Sequence, residues 1–133
     1  MFFAWDITID ANTLEAAPIT KILKLSSGII IKVDLKFPDG CHGLVKVKLL
    51  RNEQQLIPLN RDSWATGDDE TVTTPEYYEL TETPTQLKFL GCSPGAIYDH
   101  LVTVRITILP KAIASLIPVM DLLTRMMQRL GLV

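Results

Sequence analysis

The chain predicts an all-β protein: a two-sheet antiparallel β-sandwich, of jelly-roll or immunoglobulin-like order, carrying a C-terminal amphipathic helix. Three observations predict it. Apolar and polar residues alternate strictly in several runs of strand length. Turn-forming residues recur at short, even spacing between those runs. The alternation stops at Pro110, and a helical period replaces it to the end of the chain. The organisation that follows is a sandwich over residues 1–110 and an association helix over 111–133.

The run AWDITI places Trp5, Ile7 and Ile9 on one face, and Asn12 ends it. ITKILKLS is a weaker strand, closed by Ser26, Ser27 and Gly28. GIIIKVDLKF is the clearest one. Ile29, Ile31, Val33, Leu35 and Phe37 are expected to point inward, and Ile30, Lys32, Asp34 and Lys36 outward. The segment PDGCHG then turns the chain into GLVKVKLLR, where Val45, Val47 and Leu49 oppose Lys46 and Lys48. Two alternating runs about a Gly-rich turn predict a hairpin.

Further strands are expected around Gln55 to Leu59, in ETVTT, in YYELT and in QLKFLG, divided by Asn52, Gly67-Asp68, Pro84 and Pro94-Gly95. HLVTVRITIL closes the set, with Val102, Val104, Ile106 and Ile108 inward and Thr103, Arg105 and Thr107 outward. Eight or nine short strands suit two packed sheets, but alternation alone does not choose between the two strand orders.

Residues 111–133 read KAIASLIPVMDLLTRMMQRLGLV. Ile113, Leu116, Met120, Leu123, Met127 and Leu130 recur at spacings of three and four, the seam of a helix that packs against copies of itself. Pro118 divides that helix, because an interior proline removes a hydrogen bond and clashes with the preceding turn. Fold-back onto the sandwich and contact with a membrane surface are the competing readings of so broad an apolar arc. The absence of any aromatic residue in the tail weighs against the membrane. Self-association, for instance as a trimer, is the expectation.

Composition narrows the function classes. With 133 residues and 47% apolar side chains, the chain can bury a core without metal or disulfide support. A formal charge of −2 gives no global attraction to nucleic acid. Lys32, Lys36, Lys46 and Lys48 would form a basic stripe on the hairpin, but no aromatic residues interleave with them. The start has no basic segment before an apolar run, so no secretory signal is expected, and no apolar run is long enough for a helical span.

Catalytic and metal motifs are missing. His42 and His100 do not combine with Cys41 and Cys92 at zinc-ligand spacing, and the two thiols are read as reduced, a bridge between loops being the alternative. Asp68, Asp69 and Glu70 lack the alternating ligand spacing of a calcium loop and read as a solvated turn. There is no nucleophile elbow and no phosphate loop, and Glu76, Glu79 and Glu82 do not sit convincingly as a paired acid and base. No cofactor and no enzymatic activity are expected. Trp64, Tyr77 and Tyr78 are candidates for contact with a partner, since aromatic rings combine area with a polar handle.

The succession FPDGCHGLVKVKLLR, WATGDDETV, EYYELTETPTQLKF and YDHLVTVRITILPK resembles small all-β proteins encoded among tailed-phage and prophage genes. The resemblance covers most of residues 28–111 and carries no diagnostic motif. It implies a structural subunit of a bacteriophage virion, capsid-decorating or adaptor, assembled in the host cytoplasm and working as repeated copies beside other virion proteins. A carbohydrate- or protein-binding module using end loops is the alternative function.

Overall fold

The computed structural model describes residues 1–58, 60, 62–110 and 124–131. Strands form wherever apolar residues alternate. They are β1 (Phe2–Ile9), β2 (Ile19–Lys24), β3 (Gly28–Phe37), β4 (Lys46–Arg51), β5 (Gln54–Ile57), β6 (Ala65–Thr66), β7 (Glu70–Leu80), β8 (Gln86–Cys92) and β9 (His100–Leu109). A helical turn and a half covers residues 124–129. No helix among the described residues is long and apolar enough to cross a membrane.

Two antiparallel sheets face each other, the first ordered β1-β9-β3-β7 and the second β2-β8-β4-β5, with β6 beside β4. The pairings β1·β9, β2·β8, β3·β7 and β4·β5 nest inside one another, like one long hairpin rolled up. This is the order of a jelly roll, not of an immunoglobulin domain. The chain changes sheet at every connection except those joining β4, β5 and β6. Each change puts one apolar face of a strand against the faces already in place.

The core lies between the sheets. Val102, Val104, Ile106 and Ile108 of β9 are fully buried, as are Val45, Val47 and Leu49 beside β4, and Phe37 and Phe89 fill the most volume. Burying one such side chain stabilises by about 1.5–3 kcal/mol before ordering costs. Gly91 is required where β8 passes β1: a Cβ there would stand 2.7 Å from Ile9 Cδ1.

Three expectations are corrected. The predicted hairpin of GIIIKVDLKF with GLVKVKLLR does not exist, because β3 and β4 lie in opposite sheets. Residues 38–45 arch across the end of the sandwich instead, and Phe37, Cys41 and Val45 close that end with their apolar side chains. The basic stripe is therefore divided, Lys32 and Lys36 lying on the first sheet and Lys46 and Lys48 on the second.

The inward set of β3 also differs. The register against β9 shifts between Ile30 and Lys32. A bulge of this kind sets two residues opposite one. Ile30 therefore joins the core with Val33, Leu35 and Phe37, and Ile31 stays half-buried. Finally, ETVTT and YYELT are one strand, β7, which tolerates Pro75 because it is a sheet edge.

Candidate functional site

The loops at one end of the jelly roll build the most site-like feature. Their sequence carries Gly and Asx residues where the backbone must turn against its preferred hand. In the β3–β4 arch, His42 (φ 50°) and Gly43 (φ 73°) form a tight turn closed by Leu44 N–H donating to Cys41 O at 2.8 Å. Asp68 pins this arch from the β6–β7 loop: its Oδ1 accepts from Cys41 N–H at 3.0 Å, and its Oδ2 stands 4.0 Å from His42 Nδ1. The acidic run around Asp68 is thus a loop clamp. Glu70 Oε1 reinforces it by accepting from Asp68 N–H at 3.4 Å.

The β8–β9 loop is held as firmly. Ser93 is fully buried, and its hydroxyl donates to Asp10 O at 2.7 Å while accepting from Thr13 N–H at 3.3 Å. Ser93 N–H in turn donates to Thr13 O at 2.9 Å. Asn12 Oδ1 receives Gly95 N–H at 2.9 Å, and Asp99 Oδ1 receives Ala11 N–H at 2.7 Å. Asp99 therefore serves the β1–β2 loop. Pro94-Gly95 makes the turn, with Gly95 at φ 82°.

Between the two clamped loops opens a cleft of about 490 Å³, lined by Asp39, His42, Leu44, Ile97, Tyr98 and His100 among others. Ile97 is 82% and Tyr98 74% exposed at its lip. Large apolar side chains so exposed on loops so well tied make a pre-formed contact surface, at which little order is lost on binding. His42 and His100 add polar groups suited to orienting a partner.

A second surface lies on the outer face of the second sheet. Lys48 Nζ sits 4.3 Å from the centroid of the Trp64 ring, a cation–π contact. Gln55 Nε2 donates to Pro58 O at 2.6 Å and Asn60 O at 2.7 Å, fastening the segment that leads to Trp64. The adjoining groove of about 550 Å³ is lined by Lys48, Leu50, Glu53, Gln54, Asp62 and Leu90 among others. Two lysines of this face are paired with carboxylates: Lys46 Nζ meets Glu15 Oε1 at 2.7 Å and Lys88 Nζ meets Glu53 Oε1 at 3.2 Å. The hydrogen bond that Lys46 donates to Glu15 holds its ammonium pKa above the usual value.

The three aromatic residues singled out in the sequence are not gathered into one surface. Trp64 covers Lys48 of the second sheet, Tyr77 is exposed on β7, and Tyr78 packs partly buried against the core. The alternation along β7 sends adjacent tyrosines to opposite sides. Of the six seam residues, Ile113, Leu116, Met120 and Leu123 lie outside the described residues. Met127 and Leu130 are described, and they are 42% and 73% exposed, beside Met126 at 51%.

Cys41 and Cys92 are free and fully buried, and Cys92 ends strand β8. Burial raises both thiol pKa values, with the negative charges of Asp68 and Asp39 adding to the effect at Cys41 and that of Glu15 at Cys92. Among the described residues, no three His, Cys, Asp or Glu side chains converge as metal ligands do.

Sequence reasoning missed Ile97 and Tyr98. The signal was present: an apolar pair one residue after Pro94-Gly95, in a segment with no alternation to bury it. Arg51 was also missed. It is only 7% exposed, and its guanidinium donates to the carbonyls of Pro84, Glu82 and Gln86. Nothing in the local pattern distinguishes it from a solvated lysine.

The fold and these surfaces define an all-β jelly-roll sandwich with a cleft at its loop end and a groove on one sheet. No protein-family profile matches the sequence, and no curated protein matches it. Among solved structures, the chain is similar to the Yersinia pseudotuberculosis-derived mitogen, with a TM-score of 0.40 and 12% identity over 82% of this chain and 86% of that one.

Proposed function

We propose that this chain is a non-enzymatic structural subunit that acts through surface contact in a homo-oligomeric assembly, as a capsid-decorating or adaptor protein of a virion. The observation that carries the reading is the exposure of Met126, Met127 and Leu130, which lie outside the buried cluster of the sandwich. Met127 and Leu130 belong to the seam spacing of residues 113–130, so a neighbouring copy is the natural cover. The resemblance to phage-encoded all-β proteins supports the virion setting. The test is light scattering of the full chain at micromolar concentration against Met127→Asp. The variant is expected to lose oligomer mass with its β-sheet circular dichroism unchanged. A monomer for the unmodified chain refutes the reading.

A second reading is a protein- or carbohydrate-binding module, and the end-loop cleft favours it. Here Ile97, Tyr98 and His42 would carry the contact. Tyr98→Ala would then abolish binding on a glycan array or to a partner protein while leaving oligomer mass unchanged. Retention of binding would remove the cleft from consideration.

A further inference from the structure

A jelly roll leaves four sheet edges, and three of them here carry devices that discourage pairing. Strand β7 has Pro75 at its middle with Glu70, Glu76 and Glu79 along it. Strand β2 carries Lys21 and Lys24. Strand β5 is four residues long and stops at Pro58. Charges, prolines and shortness are the usual protections of a free edge. Strand β1, FFAWDITI, is the least protected: it runs eight residues with a single charge, and its one neighbour among the described residues is β9.

The hydrogen-bond phase of that edge can be read directly. Met1 and Ile108 exchange both backbone bonds, Ile108 N–H donating to Met1 O at 2.7 Å and the terminal ammonium donating to Ile108 O. Hydrogen-bonded and non-hydrogen-bonded pairs alternate along an antiparallel ladder. Phe3, Trp5, Ile7 and Ile9 therefore bond to β9, in register with Ile106, Val104, Val102 and His100. Phe2, Ala4, Asp6 and Thr8 aim their N–H and C=O groups away from the sheet, toward the open side.

A second observation lies on the inner face. Phe3 and Trp5 alternate with the buried Ile7 and Ile9, so they face the inter-sheet layer, yet both are only half-buried. Their rings stack on one another, centroids 6.0 Å apart at 10°. The apolar layer of the sandwich is open on this side, and two aromatic rings stand in the opening.

We infer that β1 pairs antiparallel, about a two-fold axis, with β1 of a second copy of this chain, joining two four-stranded sheets into one. A two-fold axis through the Trp5 pair satisfies every free backbone group: Phe2 meets the partner's Thr8, and Ala4 meets the partner's Asp6. Trp5 then faces the partner's Trp5, and Phe3 faces the partner's Ile7, so the open apolar layers become continuous. Charge selects the same register. Centring on Asp6 sets two carboxylates opposite each other, a destabilising arrangement, and centring on Ala4 leaves Thr8 unpaired. In the Trp5-centred register Asp6 faces only alanine, and its carboxylate already receives the Thr103 hydroxyl of its own subunit at 2.7 Å. Three aromatic residues per chain, at roughly 150–250 Å² for each buried ring, together with a whole strand edge, bring contact area of the order of the ~800 Å² per partner of a standard interface.

This contact is separate from the tail seam, and the experiment keeps the two apart. In the full chain, Ala4→Pro places proline where the N–H faces out of the sheet, a site an edge strand tolerates, and it blocks strand addition. The expected result is a halved mass in light scattering with the β-sheet circular dichroism retained, whether or not Met127→Asp is also present. Trp5→Cys supplies a second readout. Cα atoms of a non-hydrogen-bonded pair lie about 4.5 Å apart, within disulfide reach. Mild oxidation should therefore link Trp5→Cys chains into dimers and leave Phe3→Cys chains unlinked. Unchanged mass for Ala4→Pro, or equal cross-linking of the two cysteine variants, would overturn the inference while leaving the tail seam to stand or fall on Met127→Asp.

Discussion

Replacing Arg51 by alanine removes the donor on which the β7–β8 connection depends. The guanidinium of Arg51, at the end of β4, gives Nη1–H to Pro84 O at 2.6 Å and Nη2–H to Glu82 O at 2.9 Å, with a longer contact from Nη1 to Gln86 O at 3.3 Å. A hydrogen bond from a charged donor contributes about 1.5–3 kcal/mol net. The two short bonds therefore put the loss at about 3 kcal/mol, with the third contact treated as marginal. Against a total stability of about 5–15 kcal/mol for a domain, that is a large fraction. A loss of this size lowers the melting temperature by roughly 10 °C at this chain length.

Urea unfolding followed by circular dichroism measures it. Arg51→Ala should shift the midpoint with an unchanged slope. Arg51→Met, which keeps the aliphatic stem, should recover little, because the missing element is the donor fork. If Arg51→Ala stays within about 1 kcal/mol of the parent, the carbonyls exchange the guanidinium for water at no cost, and the clamp argument fails.

Other outcomes follow from the same geometry. Gly28→Ala should destabilise by about 1–3 kcal/mol, since a Cβ would meet Ile108 Cγ2 and Leu109 O at 2.5 Å; thermal melting measures it. Cys41 and Cys92 have folded-state thiol pKa values above those of the unfolded chain. The stability this contributes is fully present below the ordinary thiol pKa, about 8.5, and is lost as pH rises through the folded values. Urea midpoints should therefore fall on the alkaline side of that point, and Cys41→Ser with Cys92→Ser should flatten the decline. Asp68→Ala should release the Cys41 arch, seen as faster amide exchange at Cys41, while the strands keep their protection.

The strands themselves were legible because alternation is a local property. The inward faces of β4 and β9 read correctly from Val47, Leu49, Val102, Val104, Ile106 and Ile108, since one side of a two-layer sheet must be apolar. The bulge at Ile31 was not legible. Three consecutive isoleucines, Ile29 to Ile31, fit either phase, and only the register against β9 chose Ile30 for the core. The loop cleft was equally hidden, because Asp68, Ser93, Asn12 and Asp99 find their partners in loops far away in sequence.

By itself, then, the order of residues determined the class of the domain, the positions of its strands and most of the side chains that fill its core. Tertiary structure decided which strands became neighbours. Val33, Val47 and Val104 each offer the same apolar face to any sheet, so alternation cannot say that β3 pairs with β7 and β9 while β4 crosses to the other layer. That choice rests on the packing of complete faces across the sandwich, and it divided the lysines, separated the aromatics and left β1 as the least protected edge among the described residues.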